Sequence, residues 1–474
     1  MRVTMLSALI LASATPALIP LPNQVQWNTG SFALTRTTPV VSQGSSSETL
    51  DRLREALALP LRSESGGDSA IFLKKGPGMA AEEYDLNVDS HSVRISATTD
   101  AGLFYGIQTL RQLNQNGQIA ACHIHDAPRF AWRGLLLDES RHFFGPKFIR
   151  KYIDEMAAHK LNTFHWHLTD DGGWRMEVKR FPELTKIGAW RKEQGVEWDY
   201  GNLYFPGPGS SAKLYGGYYP QSELRAIVKY ARQRNVTIVP EIEMPGHSLA
   251  AAASHPQLQC ELPADVMAKY LKDSNSQAPS MVCPGKDSTV EFYKRVLDEV
   301  MAIFPSKFIH IGGDEVDKTL WHQCRYCQSR MHALGLKDEN ELQSWFVRQM
   351  DAYLASKGRR LIGWDEILEG GLAPGAAVMS WRGIEGGIAA AKAGHDVAMS
   401  PTSHCYFDYS YDSIPTSRVY SYEPIPAELT GDERNRVLGG QGNIWTEHIP
   451  TPPEGRSDDL SASRRPRGDA LDAA

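Results

Sequence analysis

The chain has 474 residues, 42% of them hydrophobic, which is enough for a large core and for more than one folding unit. A net charge of −6 argues against nucleic acid as a partner, because polyanions select basic surfaces. Eleven Trp supply flat apolar faces with one N–H each, suited to stacking on sugar rings as well as to core packing.

The chain opens MRVTMLSALILASATPALIP. Arg2, the short apolar run Met5 to Ala12 and the small residues Ala12-Ser13-Ala14 have the order of an export signal, expected over residues 1–17. That places the protein in the periplasm, on the cell surface or outside the cell. No later run is long and apolar enough to span a membrane. Export would put the six cysteines in an oxidising compartment. Cys324 and Cys327 form a CxxC and are expected to pair, as are Cys260 and Cys283, which bracket one loop. Zinc at the CxxC would need more thiol or imidazole ligands than lie nearby in sequence.

Residues 18–126 mix short strands with helices. SETLDRLREALAL (Ser47 to Leu59) has a capping Ser and helical apolar spacing, YDLNVDSHSVRISA alternates like a hairpin, and Ala101 to Gln115 forms an amphipathic pattern. The prediction is a small α+β domain without a catalytic-looking cluster.

Over residues 127–450 the rhythm changes. Strand-length apolar runs occur at 134–138, 163–168, 236–242, 308–313, 361–366, 377–381, 396–400 and 440–445, most of them separated by helical patterns. Continuous apolar strands imply a sheet buried on both faces, and eight with helical crossovers imply a (β/α)8 barrel, with a doubly wound open sheet as the alternative. Polar residues gather where these runs end. They are Arg141 and His142; His165, His167, Asp170 and Asp171; Glu241, Glu243 and His247; Asp314 and Glu315; Trp364, Asp365 and Glu366; Trp381 and Arg382; Tyr406 and Asp408; Trp445 and Glu447. A barrel would bring these clusters together on its C-terminal face, where active sites sit.

Carboxylates, one Arg and several Trp, without a phosphate-cradling glycine motif, suit sugar chemistry. Glycoside hydrolysis needs an acid for the leaving oxygen and a means of stabilising the cationic anomeric carbon. Asp314 and Glu315 are adjacent, so their side chains diverge and do not flank one bond as an ordinary acid–nucleophile pair.

The segments LLLDESRHFF (135–144), FHWHLTDDGGWR (164–175), PEIEMPGH (240–247), HIGGDEV (310–316), GWDE (363–366) and GNIWTE (442–447), taken in this order, closely resemble family 20 glycoside hydrolases, the β-N-acetylhexosaminidases. The resemblance implies a non-catalytic α+β domain ahead of a (β/α)8 barrel, no metal and no cofactor. It implies exo-acting removal of terminal β-linked N-acetylhexosamine from chitooligosaccharides, peptidoglycan fragments or N-glycans. The substrate's own acetamido oxygen would be the nucleophile, the substrate-assisted exception to the two-carboxylate rule. By the same resemblance Glu315 is general acid and then base, while Asp314 accepts from the acetamido N–H. Asp170 and His247 form a relay toward Glu315, and Tyr406 donates to the acetamido oxygen. Trp364, Trp381 and Trp445 wall the sugar, and Arg141 with Asp408 and Glu447 holds ring hydroxyls. His165 and His167 either support the site or pack.

HWH at residues 165–167 also suits a metal-dependent amidohydrolase barrel, but the expected further His ligands past the middle strands are replaced by Gly-Gly-Asp-Glu. A non-catalytic glycan-binding protein is a third reading, disfavoured by the presence of Asp314, Glu315 and Tyr406. The tail, residues 451–474, is polar and lacks the apolar stripe of the closing barrel helix that the resemblance implies. Codons for Ser457 to Ala473 read one nucleotide out of frame can encode a family-like helix, so two readings of the tail stand: a frameshift near Gly455, or a genuine tail that leaves the barrel without its closing helix.

Overall fold

The computed structural model describes residues 16–58, 60, 62–63, 69–195, 198–273 and 278–451. Most of the expected leader and the tail beyond residue 451, with its proposed frameshift, lie outside the described residues. The chain divides into two compact units, one comprising the chain up to Arg129 with Ala158–Lys160, the other Phe130–Ala157 and everything from Leu161 on.

In the first unit a mixed sheet runs in the order Gln24–Ala33, Gln118–Asp126, Tyr84–Val88, Ser92–Ala97, Ala70–Lys75, Pro39–Gln43 and Arg62–Ser63. The expected hairpin is the antiparallel pair Tyr84–Val88 and Ser92–Ala97, with Leu86 opposite Ile95. Helix Ser47–Leu57 starts where Ser46 Oγ accepts from the Thr49 N–H at 3.2 Å, and it stops before the expected Leu59 because Ala58 turns left-handed. Helix Asp100–Leu113 is buried over most of its length. It lies so close to the sheet that a Cβ on Gly102 would stand 2.4 Å from the Glu83 carbonyl oxygen.

The second unit is a closed parallel barrel. Its strands are β1 (Trp132–Asp138), β2 (Thr163–His167), β3 (Thr237–Glu241), β4 (Phe308–His310), β5 (Arg360–Trp364), β6 (Ala377–Ser380), β7 (Val397–Met399) and β8 (Val437–Ile444). Consecutive strands pair in parallel around the ring, and β8 closes on β1 with Gly442 opposite Leu135, which excludes the open doubly wound sheet. Helices such as Pro146–Ala158, Gln221–Arg232, Asp287–Ile303 and Glu339–Ser356 make crossovers, while β5 and β6 are joined only through the short 3-10 turn Asp365–Leu368.

Alternation along β2 sends Phe164 and Trp166 outward, where they meet Tyr152 and Tyr219. His165 and His167 point inward with Leu136, Val239, Ile362, Ala377 and Met379. The barrel interior is therefore a packed apolar layer capped by a polar one. No helix among the described residues is long and apolar enough to cross a membrane.

The cysteines depart from expectation. Cys260, Cys283, Cys324 and Cys327 form one buried group in which Cys283 Sγ lies 3.5 Å from Cys327 Sγ and 3.6 Å from Cys324 Sγ. All six cysteines are free thiols, so neither expected disulfide is present. The group unites a loop after β3 with the turn before helix Arg325–Leu334, segments whose proximity no spacing in the sequence announces.

Candidate active site

β4 ends at His310, and the glycines that follow, Gly312 and Gly313, take φ of +68° and +92°. A Cβ on Gly312 would stand 1.7 Å from Glu243 Oε2, so glycine alone fits there. The turn carries Glu315 at φ +47°, a conformation a side-chain-bearing residue adopts only when its surroundings enforce it. The neighbouring acids consequently face different environments: Asp314 is 9% exposed, while the Glu315 side chain is 59% exposed.

His247, on the loop after β3, stands between these acids and a second pair. Its Nε2 lies 3.5 Å from Glu315 Oε2 and 3.7 Å from Asp314 Oδ2. Its Nδ1 lies 3.4 Å from Asp170 Oδ1 and 3.6 Å from Asp171 Oδ2. Asp170 also lies 2.8 Å from Arg141 Nη2 and 2.9 Å from His167 Nε2. Burial disfavours charge on Asp170, but Arg141, His247 and His167 outweigh it and hold the carboxyl far below its usual range. Burial likewise disfavours the His247 imidazolium, and Asp170 leads the carboxylates that keep it charged well above the ordinary histidine range. That cation holds Glu315 below the usual carboxylate value through its hydrogen bond. Burial pushes Asp314 up to about 6 against the pull of His247. Asp314 Oδ1 has no hydrogen-bond partner within the protein.

Aromatic rings wall this group. The Trp445 ring centre lies 5.9 Å from that of Trp364 and 6.3 Å from that of Tyr406, which stacks beside Trp381. The Arg141 guanidinium sits over Trp445 at 5.1 Å. Asp408 Oδ1 accepts from the Trp445 backbone N–H at 3.4 Å, and burial pushes its carboxyl up to about 7. Trp381 Nε1–H donates to Glu366 Oε2 at 2.9 Å; burial and then Asp314 push Glu366 up to about 7.

The catalytic-domain model of glycosyl hydrolase family 20 matches residues 130–457, and the family's domain 2 model matches residues 15–127. The chain belongs to glycosyl hydrolase family 20. It is 40% identical over 467 residues to a β-hexosaminidase of Porphyromonas gingivalis, covering 92% of this chain and 58% of that protein. It is 35% identical to a β-hexosaminidase of Vibrio furnissii, covering 92% of this chain and 73% of that one. Among solved structures, a family 20 exo-β-N-acetylglucosaminidase of Vibrio harveyi in complex with N-acetylglucosamine superposes with a TM-score of 0.81 at 32% identity, covering 92% of this chain and 70% of that one.

Within this family 20 barrel, the residues singled out from the sequence occupy one mouth. Asp170, His247, Asp314 and Glu315 form the acidic centre, and Arg141, Trp364, Trp381, Tyr406, Asp408, Trp445 and Glu447 surround it. Arg141 is committed to Asp170 at 2.8 Å and reaches Glu447 only at 3.7 Å, with no ion pair to Asp408. Sequence reasoning missed Tyr200, whose hydroxyl donates to Glu447 Oε1 at 3.0 Å from the long excursion after β2. It also left Glu241 and Glu243 without roles. Glu241 lies in the floor, 2.8 Å from His310 Nδ1 and 3.1 Å from His165 Nε2; His167 Nδ1–H and Trp364 Nε1–H bond to it as well. His165 and His167 thus share the Glu241 carboxylate.

Proposed function

We propose that this chain is an exo-acting, retaining β-N-acetylhexosaminidase that removes terminal non-reducing β-linked N-acetylhexosamine by substrate-assisted catalysis. The observation that carries the reading is the Asp314–Glu315 pair: a buried carboxylate with one oxygen unpartnered, beside an exposed carboxyl in contact with His247. A buried acceptor without a donor favours a ligand that brings one, and the acetamido N–H is such a donor.

In the first step the acetamido carbonyl oxygen attacks C1, the glycosidic C1–O bond breaks, and the Glu315 carboxyl gives its proton to the leaving oxygen. Asp314 holds the N–H, which orients the acetamide and balances the positive charge that spreads over the oxazolinium ring. Tyr406 donates to the same acetamide, and Trp364, Trp381 and Trp445 exclude water from it. In the second step water attacks C1 from the face the aglycone left. Glu315, now a carboxylate, takes its proton, and the ring opens to restore the acetamide. His247, held charged by Asp170, sets the proton affinity of Glu315 across both steps. Arg141, Glu447 and Asp408 bound the space for the ring hydroxyls. Chitooligosaccharides, peptidoglycan fragments and N-glycans all present the required terminal sugar. The N-terminal signal-like run supports export to the periplasm, cell surface or medium, where such glycans occur.

Hydrolysis of a chromogenic β-N-acetylglucosaminide by the purified chain, beside the matching β-glucoside, tests the reading. Turnover of the acetamido sugar alone is expected. Equal turnover of both would overturn the substrate-assisted step.

A further inference from the structure

The four cysteines near the barrel mouth have no part in this chemistry, yet their geometry is specific. Cys260, Cys283, Cys324 and Cys327 are between 0% and 7% exposed, and their sulfurs all lie within 4.8 Å of one another. The closest separations are 3.5, 3.6 and 3.9 Å. Four thiolates at about 2.3 Å from a tetrahedral zinc stand about 3.8 Å apart. A disulfide would bring two sulfurs to about 2.0 Å. Local backbone suits a metal as well. The CxxC opens helix Arg325–Leu334, with Cys324 at its cap, so two of the four sulfurs come from one helix start. The Cys283 loop approaches so closely that a Cβ on Gly285 would stand 2.4 Å from the Cys327 nitrogen.

We infer that these cysteines form a structural zinc site with four thiolate ligands. The site clips the loop after β3 to the loop after β4. Beside it, the Val282 N–H bonds to the Pro245 carbonyl at 2.9 Å and the Ser248 N–H to the Ser280 carbonyl at 2.7 Å. Trp321 Nε1–H bonds to the Val282 carbonyl at 3.0 Å. The metal therefore anchors the turn that carries His247 and the segment that follows Glu315, without touching substrate. Binding exchanges four thiol protons for one divalent cation and involves no redox step.

The test is metal analysis and intact-mass measurement on the full chain, purified through its own export route in metal-replete medium. One zinc per chain is expected, together with four thiols that react only as a mercurial releases the metal. Cobalt(II) reconstitution should give intense thiolate-to-metal charge-transfer bands. Cys324→Ser should lose the metal and melt at lower temperature, with the loss of zinc read separately from hydrolysis. If that variant does not fold, the stoichiometry and the cobalt spectrum of the unaltered chain still decide. A metal-free chain carrying two disulfides, read as the loss of four hydrogens, would overturn the site. So would a metal-free chain with four freely reactive thiols.

Discussion

The carboxylates of this barrel are treated in opposite ways at its floor and at its rim. In the floor, Glu241 is surrounded by His165, His167, His310 and Trp364, and their hydrogen-bond donors or cations saturate both its oxygens. At the rim, Asp314 is buried with a free oxygen, Glu243 has no hydrogen bond on either oxygen, and Glu315 sits on a strained backbone half in solvent. A saturated acid stabilises the scaffold and is inert. An unsaturated one is held in place at the expense of stability, and the deficit is made up only when a ligand supplies the donor. The contrast separates structural from functional acids where composition cannot.

The largest effects should fall on the exposed member of the rim. Glu315→Gln keeps the shape of the side chain and removes its proton. Turnover of the chromogenic acetamido substrate should drop by about 10²–10⁴-fold, the span of a positioned acid–base group, with no fall in melting temperature. Loss of folding together with activity would remove Glu315 from the catalytic role. Glu241→Gln should do the reverse. Leaving three histidines around a group that has lost its charge should destabilise the fold by about 3–5 kcal/mol, measured by denaturant unfolding, and activity should fail only as the fold does. A folded Glu241→Gln protein of unchanged stability that is inactive would collapse the distinction between floor and rim.

Asp314 sharpens it further, because there activity and stability should move apart. Its carboxyl is raised by burial from the ordinary 3.8 to about 6 in the folded state. A raised acid gives stability that is fully present below the unfolded value and is lost as pH rises through the folded one. The native protein is therefore penalised above about pH 6, and Asp314→Asn removes that penalty. The variant should melt higher than the parent at pH 7.5, by an amount on the order of 1–3 kcal/mol. The gain should fade between about pH 6 and 3.8, while turnover of the acetamido substrate falls about 10²-fold or more throughout. Paired thermal melts across that window check the sign; an Asn variant that is less stable at pH 7.5 would mean Asp314 is saturated after all.

Which of these roles could be read in the sequence follows from the same physics. Most barrel strands are short runs dominated by apolar residues and bounded by polar ones, so their positions were legible to within a few residues: β3 was expected over 236–242 and is Thr237–Glu241. Alternation put His165 and His167 on one face, but every residue of β2 is buried, so periodicity gave no reason to choose inside from outside. Asp314 and Glu315 stood out because two acids interrupt an apolar strand. The pairing of Glu241 with three histidines from two strands depends on barrel closure, a contact between distant segments. The cysteine group was misread for that reason: a CxxC and two distant cysteines look like two local pairs until the loops after β3 and β4 are brought together. Tyr200 gave no signal, since it sits in an irregular excursion whose path no local propensity dictates.

That tyrosine gives the smallest and most discriminating effect. Its hydroxyl bonds to Glu447 Oε1 at 3.0 Å, Arg141 lies 3.7 Å from the same oxygen, and the residue as a whole is 47% exposed. Tyr200→Phe deletes one hydrogen bond at the edge of the rim, worth about 0.5–1.5 kcal/mol, so the Glu447 carboxylate is less firmly aimed at the sugar hydroxyls. Because those hydroxyls are held in both the ground state and the transition state, the loss should appear as KM raised about 2–10-fold with kcat unchanged. Steady-state kinetics on the acetamido substrate separates the two constants. A fall in kcat at constant KM would place Tyr200 among the groups that act only in the transition state. The rim would then extend past the carboxylates to the excursion that overhangs them.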